Sequence, residues 1–428
     1  MAEAPASSYS LTAYGRLLRD NREFRLLWSS QVVSELGDWL YAVCIYSLLL
    51  QLTGQAKSVA LAIVLQLLPQ VFVAPTAGVI NDRLNRRSVM IFADVCRIFI
   101  VLGMLFVKTA DMVWLIWLLL LLETIMWALF EPGRSAIIPN ITRSPDELLV
   151  ANALSSSTWA INLALGSGIG GFIAYKFGRD TVFILNAISF AVSAALLWRM
   201  RVRETHSDHH PPFRPIDLID FKPIWEGVQY VRRDGRMIAT LMVKAGMGLL
   251  GAHWVLLPIF SERVFPINGS GTLAISLLFS SRGVGALFGS FAAGYWAKND
   301  EAKMRQAIFY AFLIAAASYA MLSAAPTLAL ACLSVALGHF GTSMAWVFST
   351  TLLQNLTEDR FRGRVFSADF GGLFLVMSAL SYAAGHLIDL GVPVRTLALA
   401  TGALGLVPAF TWLASQKSWR SSESPRPR

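Results

Sequence analysis

The sequence predicts an all-α integral membrane protein with twelve transmembrane helices in two six-helix halves. Hydrophobic residues make up 55% of the 428 residues and charged residues only 15%, whereas a soluble domain carries about 25% charged residues. The apolar residues form segments close to the ~20 residues that cross a bilayer as a helix. One long polar stretch divides these segments into two groups of six. This composition excludes a soluble globular protein and a disordered chain.

The predicted spans follow one another through short connections, with boundaries good to about 2–4 residues. The N-terminal half, residues 1–199, contains the apolar segments 26–52, 58–80, 88–108, 113–135, 149–174 and 180–199. The C-terminal half, residues 237–428, contains the segments 237–260, 272–296, 305–325, 327–353, 365–389 and 394–414. Residues 200–236 are predicted to form a cytoplasmic linker, in which the amphipathic pattern of 223–236 indicates a helix along the membrane face.

The distribution of basic residues predicts the orientation. The net charge of +9 is typical of cytoplasmic loops in a membrane protein rather than of nucleic-acid binding. The even-numbered connections contain Arg83, Arg86, Arg87, Arg134, Arg143, Lys298, Lys303, Arg305, Arg360, Arg362 and Arg364. The odd-numbered connections contain Lys57, Lys108, Lys176, Arg179, Arg263 and Arg395. The positive-inside rule therefore places both termini and the linker in the cytoplasm.

The connection after the second span carries a motif that resembles a known family. It reads Gly78-Val79-Ile80-Asn81-Asp82-Arg83-Leu84-Asn85-Arg86-Arg87. The pattern G-x-x-x-D-R-x-x-R-R is similar to the signature loop of the major facilitator superfamily, which implies the major facilitator fold. The resemblance implies that Gly78 permits close helix approach and that Asp82, Arg83 and Arg87 form an ion-pair latch at the cytoplasmic gate. The alternative is a basic loop that only sets topology.

Further segments resemble one branch of that family, the bacterial macrolide-efflux and enterobactin-exporter type. They are Gly37-Asp38, Gln51-Leu52-Thr53-Gly54, and the runs 132–139, 151–154 and 226–233. In span five, Gly166-Ser167-Gly168-Ile169-Gly170-Gly171 resembles an antiporter motif with the core G-P-x-x-G-G, with Ser167 in place of the proline. This motif is associated with drug/proton antiport. The alternative is a seam of small residues, Gly166, Gly170 and Gly171 among them, that only packs helices.

Ionisable residues inside the predicted spans are functional candidates, because a charge at the bilayer centre costs about 2.5–3.5 kcal/mol on insertion scales. They include Glu35, Asp38, Glu123, Lys244, His253 and His339. The resemblance implies that the spans carrying them, the first, fourth, seventh and tenth, line the transport cavity. We hypothesise that Asp38 and Glu123 carry proton coupling or cation recognition, with Glu35 assisting. The alternatives are hydrogen-bonded packing residues and, for Glu123, an internal salt bridge.

The other intramembrane candidates allow two interpretations each. Asp94 and Arg97 are expected to neutralise each other or to tie span three to the gate. Arg282 stays open between a substrate-anion site and a helix tether, and Lys244 between attracting an anion and snorkelling. His253 and His339 are proton carriers or satisfied core residues. The aromatic candidates, which either stack on a lipophilic substrate or face lipid, are Trp39, Trp127, Trp254 and Trp346.

The sequence contains no P-loop, nucleophile elbow or HExxH motif, so neither an ATPase nor a hydrolase is predicted. No metal site and no cofactor are expected. The prediction is a monomeric secondary transporter of a bacterial cytoplasmic (inner) membrane. It works by alternating access and exports a lipophilic or cationic small molecule, such as a drug or macrolide, in exchange for protons. The alternatives are a siderophore or metabolite exporter, a lysophospholipid translocase and a non-transporting membrane receptor.

Overall fold

The computed structural model describes residues 11–202, 229–297, 300–358 and 361–423. Within these ranges the chain is almost entirely helical, and the one isolated β-bridge pairs Ile267 with Ser270. The N-terminal helices are α1 (Leu11–Asp20), α2 (Arg22–Thr53), α3 (Ala56–Arg83), α4 (Arg86–Gly103), α5 (Val113–Ile141), α6 (Pro145–Phe177) and α7 (Arg179–Trp198). The later helices are α8 (Gly235–Gly248), α9 (His253–Ile259), α10 (Thr272–Ala297), α11 (Glu301–Ala324), α12 (Leu328–Leu356), α13 (Arg362–Asp389) and α14 (Val394–Glu423).

Eleven helical stretches of the described chain are long and apolar enough to cross a membrane. They correspond to eleven of the twelve predicted spans, and α8, α9 and the following π-helix together make one stretch, Gly235–Val264. The predicted fifth span, 149–174, lies within α6, whose 33 residues would reach about 50 Å. Helix α6, several of whose side chains lie outside the described residues, is not among the eleven stretches.

The seventh predicted span, 237–260, is interrupted in the structure. Helix α8 ends at Gly248, a turn follows over 249–252, and α9 begins at His253. A Cβ atom on Gly251 would lie only 2.7 Å from Cα of Met377 on α13. The interruption therefore lets the backbones of the seventh span and α13 approach closely.

The chain divides into two compact units, with bounds Met1–Ile45 plus Phe72–Ile219 and Tyr46–Val71 plus Asp220–Arg428. Within the N-terminal unit α4 packs against α5 and α7, and Phe24, Met90 and Ile137 belong to its buried core. Within the C-terminal unit α12 packs against α10 and α11, around a core that includes Phe312, Phe348 and Trp412. Residues 203–228, with most of the predicted linker, lie outside the described residues.

Candidate functional site

Four ionisable side chains meet in the N-terminal unit, and we call them the Arg97 cluster: Asp38, Asp94, Arg97 and Glu123. The Arg97 guanidinium donates from Nη2 to Asp38 Oδ2 at 2.8 Å, and from Nε to Glu123 Oε1 at 3.0 Å. Arg97 Nη1 lies 3.9 Å from Asp94 Oδ1. One guanidinium therefore faces three carboxylates that come from α2, α4 and α5.

Neighbouring residues hold the Arg97 cluster in place. Asp94 and Arg97 lie one turn apart on α4, so both face the same side. On α7, Ser193 donates to Asp94 Oδ2 at 2.6 Å, and the Phe190 ring lies 4.0 Å from the guanidinium. Gly37, next to Asp38, lets α2 approach α7, because a Cβ there would come within 2.9 Å of Cβ of Ser189.

The members of the Arg97 cluster differ in access. The side chains of Arg97 and Asp94 are 2% and 0% exposed, whereas Glu123 is 14% and Asp38 26% exposed. When all three carboxyl groups are ionised, three negative charges face one positive charge, so the cluster has a formal charge of −2. Uncompensated charge is costly in a low-dielectric environment, so a proton taken up by one carboxyl group reduces that cost. Asp38 is the member most open to such exchange.

Glu35 lies in a different network from Asp38, although the two residues are three apart on α2. Its carboxylate accepts hydrogen bonds from Gln31 at 2.8 Å and from Asn162 of α6 at 3.2 Å. Arg134 donates to Gln31 Oε1 at 3.0 Å and forms an ion pair with Glu131. Glu35 is therefore a hydrogen-bonded residue of a separate polar network that joins α2, α5 and α6.

The C-terminal unit contains a buried ion pair between Lys244 of α8 and Asp369 of α13. The Lys244 ammonium lies 2.5 Å from Asp369 Oδ2, and both side chains are 1% exposed. The ammonium also lies 4.5 Å from the ring centroid of Trp346, 4.7 Å from Phe370 and 5.5 Å from Phe366. Lys244 does not snorkel, since a buried carboxylate compensates its charge. Trp346 is thus placed against a buried cation.

Arg282 forms no ion pair with a carboxylate of the described residues. Its Nε donates to His339 Nε2 at 3.0 Å, and the guanidinium lies 4.0 Å from the Trp254 ring. His339 Nδ1 and His253 Nδ1 each face a backbone carbonyl. Because a carbonyl only accepts, both Nδ1 atoms carry the proton. His339 is thus neutral, because its Nε2 accepts the hydrogen bond from Arg282, and His253 Nε2 makes no hydrogen bond within the described structure.

The predicted gate motif lies at the junction of α3 and α4. Gly78, Asp82 and Arg83 belong to α3, and the side chain of Asp82 lies outside the described residues. Arg87 donates from Nε to Leu197 O at 2.9 Å and from Nη2 to Trp198 O. A cation at the last carbonyls of a helix is favourable, so Arg87 ties the beginning of α4 to the end of α7.

The remaining candidates lie on α2, α5 and α6. Trp39 packs edge-on against Trp159, with ring centroids 5.9 Å apart, and Trp127 is half-buried on α5. Gly166 and Gly170 lie against the α2 backbone, where a Cβ would come within 3.0 Å of Leu36 O or 2.7 Å of Leu40 O. Gly171 is buried on the same helix. Gly166 and Gly170 therefore form a helix-packing seam against α2.

Sequence reasoning missed Asp369. This residue lies in the predicted span 365–389, so the rule that marks Lys244, a charge inside an apolar segment, would also have marked it. No sequence signal pairs the two, because they are 125 residues apart. The same separation problem applies to Arg97 and Asp38, which are 59 residues apart.

Comparison with known proteins places the chain in a family. A family model described as Major Facilitator Superfamily matches residues 27–372. The putative bacilysin exporter BacE of Bacillus subtilis (strain 168) is 22% identical over 369 residues, or 84% of this chain and 87% of that protein. Two shorter matches cover about half of either chain. The uncharacterized MFS-type transporter YfiS of Bacillus subtilis (strain 168) is 25% identical over 53% of each chain. Macrolide efflux protein A of Streptococcus pyogenes is 23% identical over 52% of this chain and 54% of its own length.

A solved structure has the same fold. The crystal structure of a bacterial homologue of the human lysosomal transporter Spinster, in an inward-facing and unoccupied conformation, covers 98% of this chain and 100% of its own. The TM-score is 0.69 at 14% identity, so this likeness concerns the fold alone. The resemblance predicted from the loop 78–87 and from the macrolide-efflux segments is confirmed. The chain belongs to the major facilitator superfamily, a family of membrane transporters.

Proposed function

We propose that the protein is a proton-coupled exporter of a lipophilic or cationic small molecule. The observation that carries the coupling is the Arg97 cluster, in which one guanidinium holds Asp38 and Glu123 at 2.8 Å and 2.5 Å, beside Asp94. The relatives named as a bacilysin exporter and a macrolide efflux protein support export as the direction.

The excess of carboxylates supports proton exchange. Proton uptake at Asp38 or Glu123 brings the cluster closer to neutrality, and proton release restores its charge. Because Arg97 binds both carboxylates, protonation of either weakens one charge-assisted hydrogen bond and changes how strongly α4 is held to α2 or α5. A proton moving down a potential of 100 mV releases about 2.3 kcal/mol, enough to concentrate an uncharged cargo roughly 50-fold.

We infer an alternating-access transport cycle, and family membership supports it. Two six-helix halves, residues 1–199 and 237–428, would rock about a central substrate site, as in transporters built from two parallel repeats. Residues 200–236 would connect them on the cytoplasmic side, where both termini also lie. We place the protein in a bacterial cytoplasmic membrane and infer that it works as a monomer, without a cofactor.

The test is a proton-flux measurement in liposomes with an internal pH dye, with macrolides, lipophilic cations and siderophores as candidate cargos. We expect substrate-dependent proton movement in the wild type, and a loss of at least tenfold in Asp38→Asn and Glu123→Gln. The matched control is Asp180→Asn, because Asp180 forms an exposed ion pair with Lys108 at 2.7 Å. Proton movement that persists in both cluster variants would remove the Arg97 cluster as the coupling site.

A further inference from the structure

The surroundings of Asp369 resemble a binding site for an organic ammonium ion. Phe366, Asp369 and Phe370 lie on one face of α13, at spacings of three and four residues. Trp346 of α12 faces Phe370, with ring centroids 5.5 Å apart. A carboxylate beside three aromatic faces binds a cation through charge and cation–π attraction together. We call these four residues the Asp369 cage.

Lys244 fills the Asp369 cage with a cation from the chain itself. Its ammonium contacts one carboxylate oxygen, Oδ2, while Asp369 Oδ1 makes no hydrogen bond within the described part of the chain. An ionised carboxylate has about four acceptor positions, and a single lysine uses only part of them. A buried polar atom without a partner costs about 1–3 kcal/mol, so the pair is incompletely satisfied by Lys244.

The aromatic residues of the Asp369 cage are more exposed than the ion pair that they surround. Lys244 and Asp369 are buried, but Trp346, Phe366 and Phe370 are each only half-buried. A lysine side chain has four flexible carbons and can withdraw its ammonium without moving its backbone. Exchange of one ammonium for another also leaves the Asp369 carboxylate paired with a cation, which avoids the cost of an unpaired buried carboxylate.

We propose that the Asp369 cage binds the ammonium group of a lipophilic amine, and that Lys244 occupies the cage as a tethered substitute when no amine is bound. The amine enters as Lys244 leaves, and Lys244 displaces the amine on release. The inference rests on the proposed function in taking the cargo to be an organic cation, and it assigns recognition of that cation to the C-terminal unit.

Binding of 2-phenylethylammonium to the purified full-length protein, measured by titration calorimetry at neutral pH without a proton gradient, tests the proposal. Lys244→Met removes the tethered competitor, so we expect the Kd to fall at least tenfold. Lys244→Met/Asp369→Asn removes the charge on both sides, and we expect binding to be lost. Lys108→Met is the matched control, since Lys108 pairs with Asp180 at the surface, and its Kd should stay at the wild-type value. The neutral 2-phenylethanol should bind no more tightly to any variant than to the wild type.

An equal Kd in wild type and folded Lys244→Met would overturn the proposal. A Kd that falls as far in Lys244→Met/Asp369→Asn as in Lys244→Met would also overturn it. If Lys244→Met does not fold, Trp346→Leu and Phe370→Leu keep the ion pair intact and decide the question. We expect each to weaken binding at least threefold, and unchanged binding in both overturns the cage. The proposed coupling fails separately: it is lost if Asp38→Asn leaves proton movement intact, whatever the amine affinity.

Discussion

Arg97 and Arg282 are both buried arginines in membrane-spanning helices, but only Arg97 has carboxylate partners in the described structure. Removing one member of a buried, paired group costs about 3–5 kcal/mol, because the partners are left with uncompensated charge. Replacing a buried charged group that has no charged partner removes the cost of burying that charge, and at Arg282 it leaves only one neutral acceptor, His339 Nε2, without its donor. Replacement by methionine is therefore expected to have opposite effects on stability at the two arginines.

We expect Arg97→Met to lower the thermal unfolding midpoint in detergent by several degrees or more, and Arg282→Met to leave it unchanged or to raise it. Arg97→Met combined with Asp38→Asn and Glu123→Gln should recover part of the loss, since two of the carboxylates are then neutral. Equal destabilisation by the two single substitutions would contradict the argument, because it would mean that burial rather than pairing decides the outcome.

The candidate residues could be found from the sequence, but their partners could not. A charge inside an apolar segment is visible in the chain, and Asp38, Glu123 and Lys244 are found in this way. Which charges meet depends on tertiary packing, and Glu123 meets Arg97 across 26 residues and two different helices. The separation of Glu35 from Asp38 has the same origin. Their spacing predicts a shared face, but Asn162 on α6 binds Glu35.

At the scale of the helices, the apolar segments predict the boundaries well. The segment 305–325 corresponds to α11, Glu301–Ala324, and 180–199 to α7, Arg179–Trp198. The interruption between α8 and α9 is not predicted, because the turn at 249–252 is as apolar as the helices beside it. The glycines there indicate close packing only once α13 is in place. Hydropathy reports burial in the membrane and not helix continuity.

The seam between α6 and α2 makes a prediction about helix packing. A Cβ on Gly170 would meet Leu40 Cα at 2.6 Å and Leu40 O at 2.7 Å, and backbone atoms cannot turn away as a side chain can. We expect Gly170→Ala to destabilise the protein by about 1–3 kcal/mol, the usual cost of overpacking. The resulting fall in the thermal unfolding midpoint measures it.

Gly294→Ala in α10 is the control for Gly170→Ala, because no described atom beyond its own helical turn lies within 4 Å of the added methyl group. Alanine is favoured over glycine inside a helix by about 0.5–1 kcal/mol, so this variant should be neutral or slightly more stable. If both variants change the thermal unfolding midpoint by the same amount, the loss of stability comes from helix propensity or lipid contact and not from packing against α2.

At the scale of the whole molecule, α6 decides the topology. Eleven stretches of the described residues qualify as spans without it, and an odd number of crossings would put the two termini on opposite sides of the membrane. Twelve crossings put them on the same side, which is what the basic connections predict. At 33 residues α6 exceeds the ~20 residues needed to cross. Its small residues also pack on α2, itself a membrane-spanning stretch, so we expect α6 to cross as well.

Labelling with a membrane-impermeant maleimide on intact spheroplasts tests whether α6 crosses the membrane. It uses three single-cysteine variants, made after replacing Cys44, Cys96 and Cys332. Arg19, Lys108 and Lys303 have side chains that are 79%, 57% and 55% exposed. Seven of the eleven stretches lie between Arg19 and Lys303, and α6 adds an eighth. We therefore expect Arg19→Cys and Lys303→Cys to react only after permeabilisation, whereas Lys108→Cys, three stretches from Arg19, reacts at once. Labelling of Lys303→Cys in intact spheroplasts, with Arg19→Cys still protected, would show that α6 does not cross and that twelve spans is wrong.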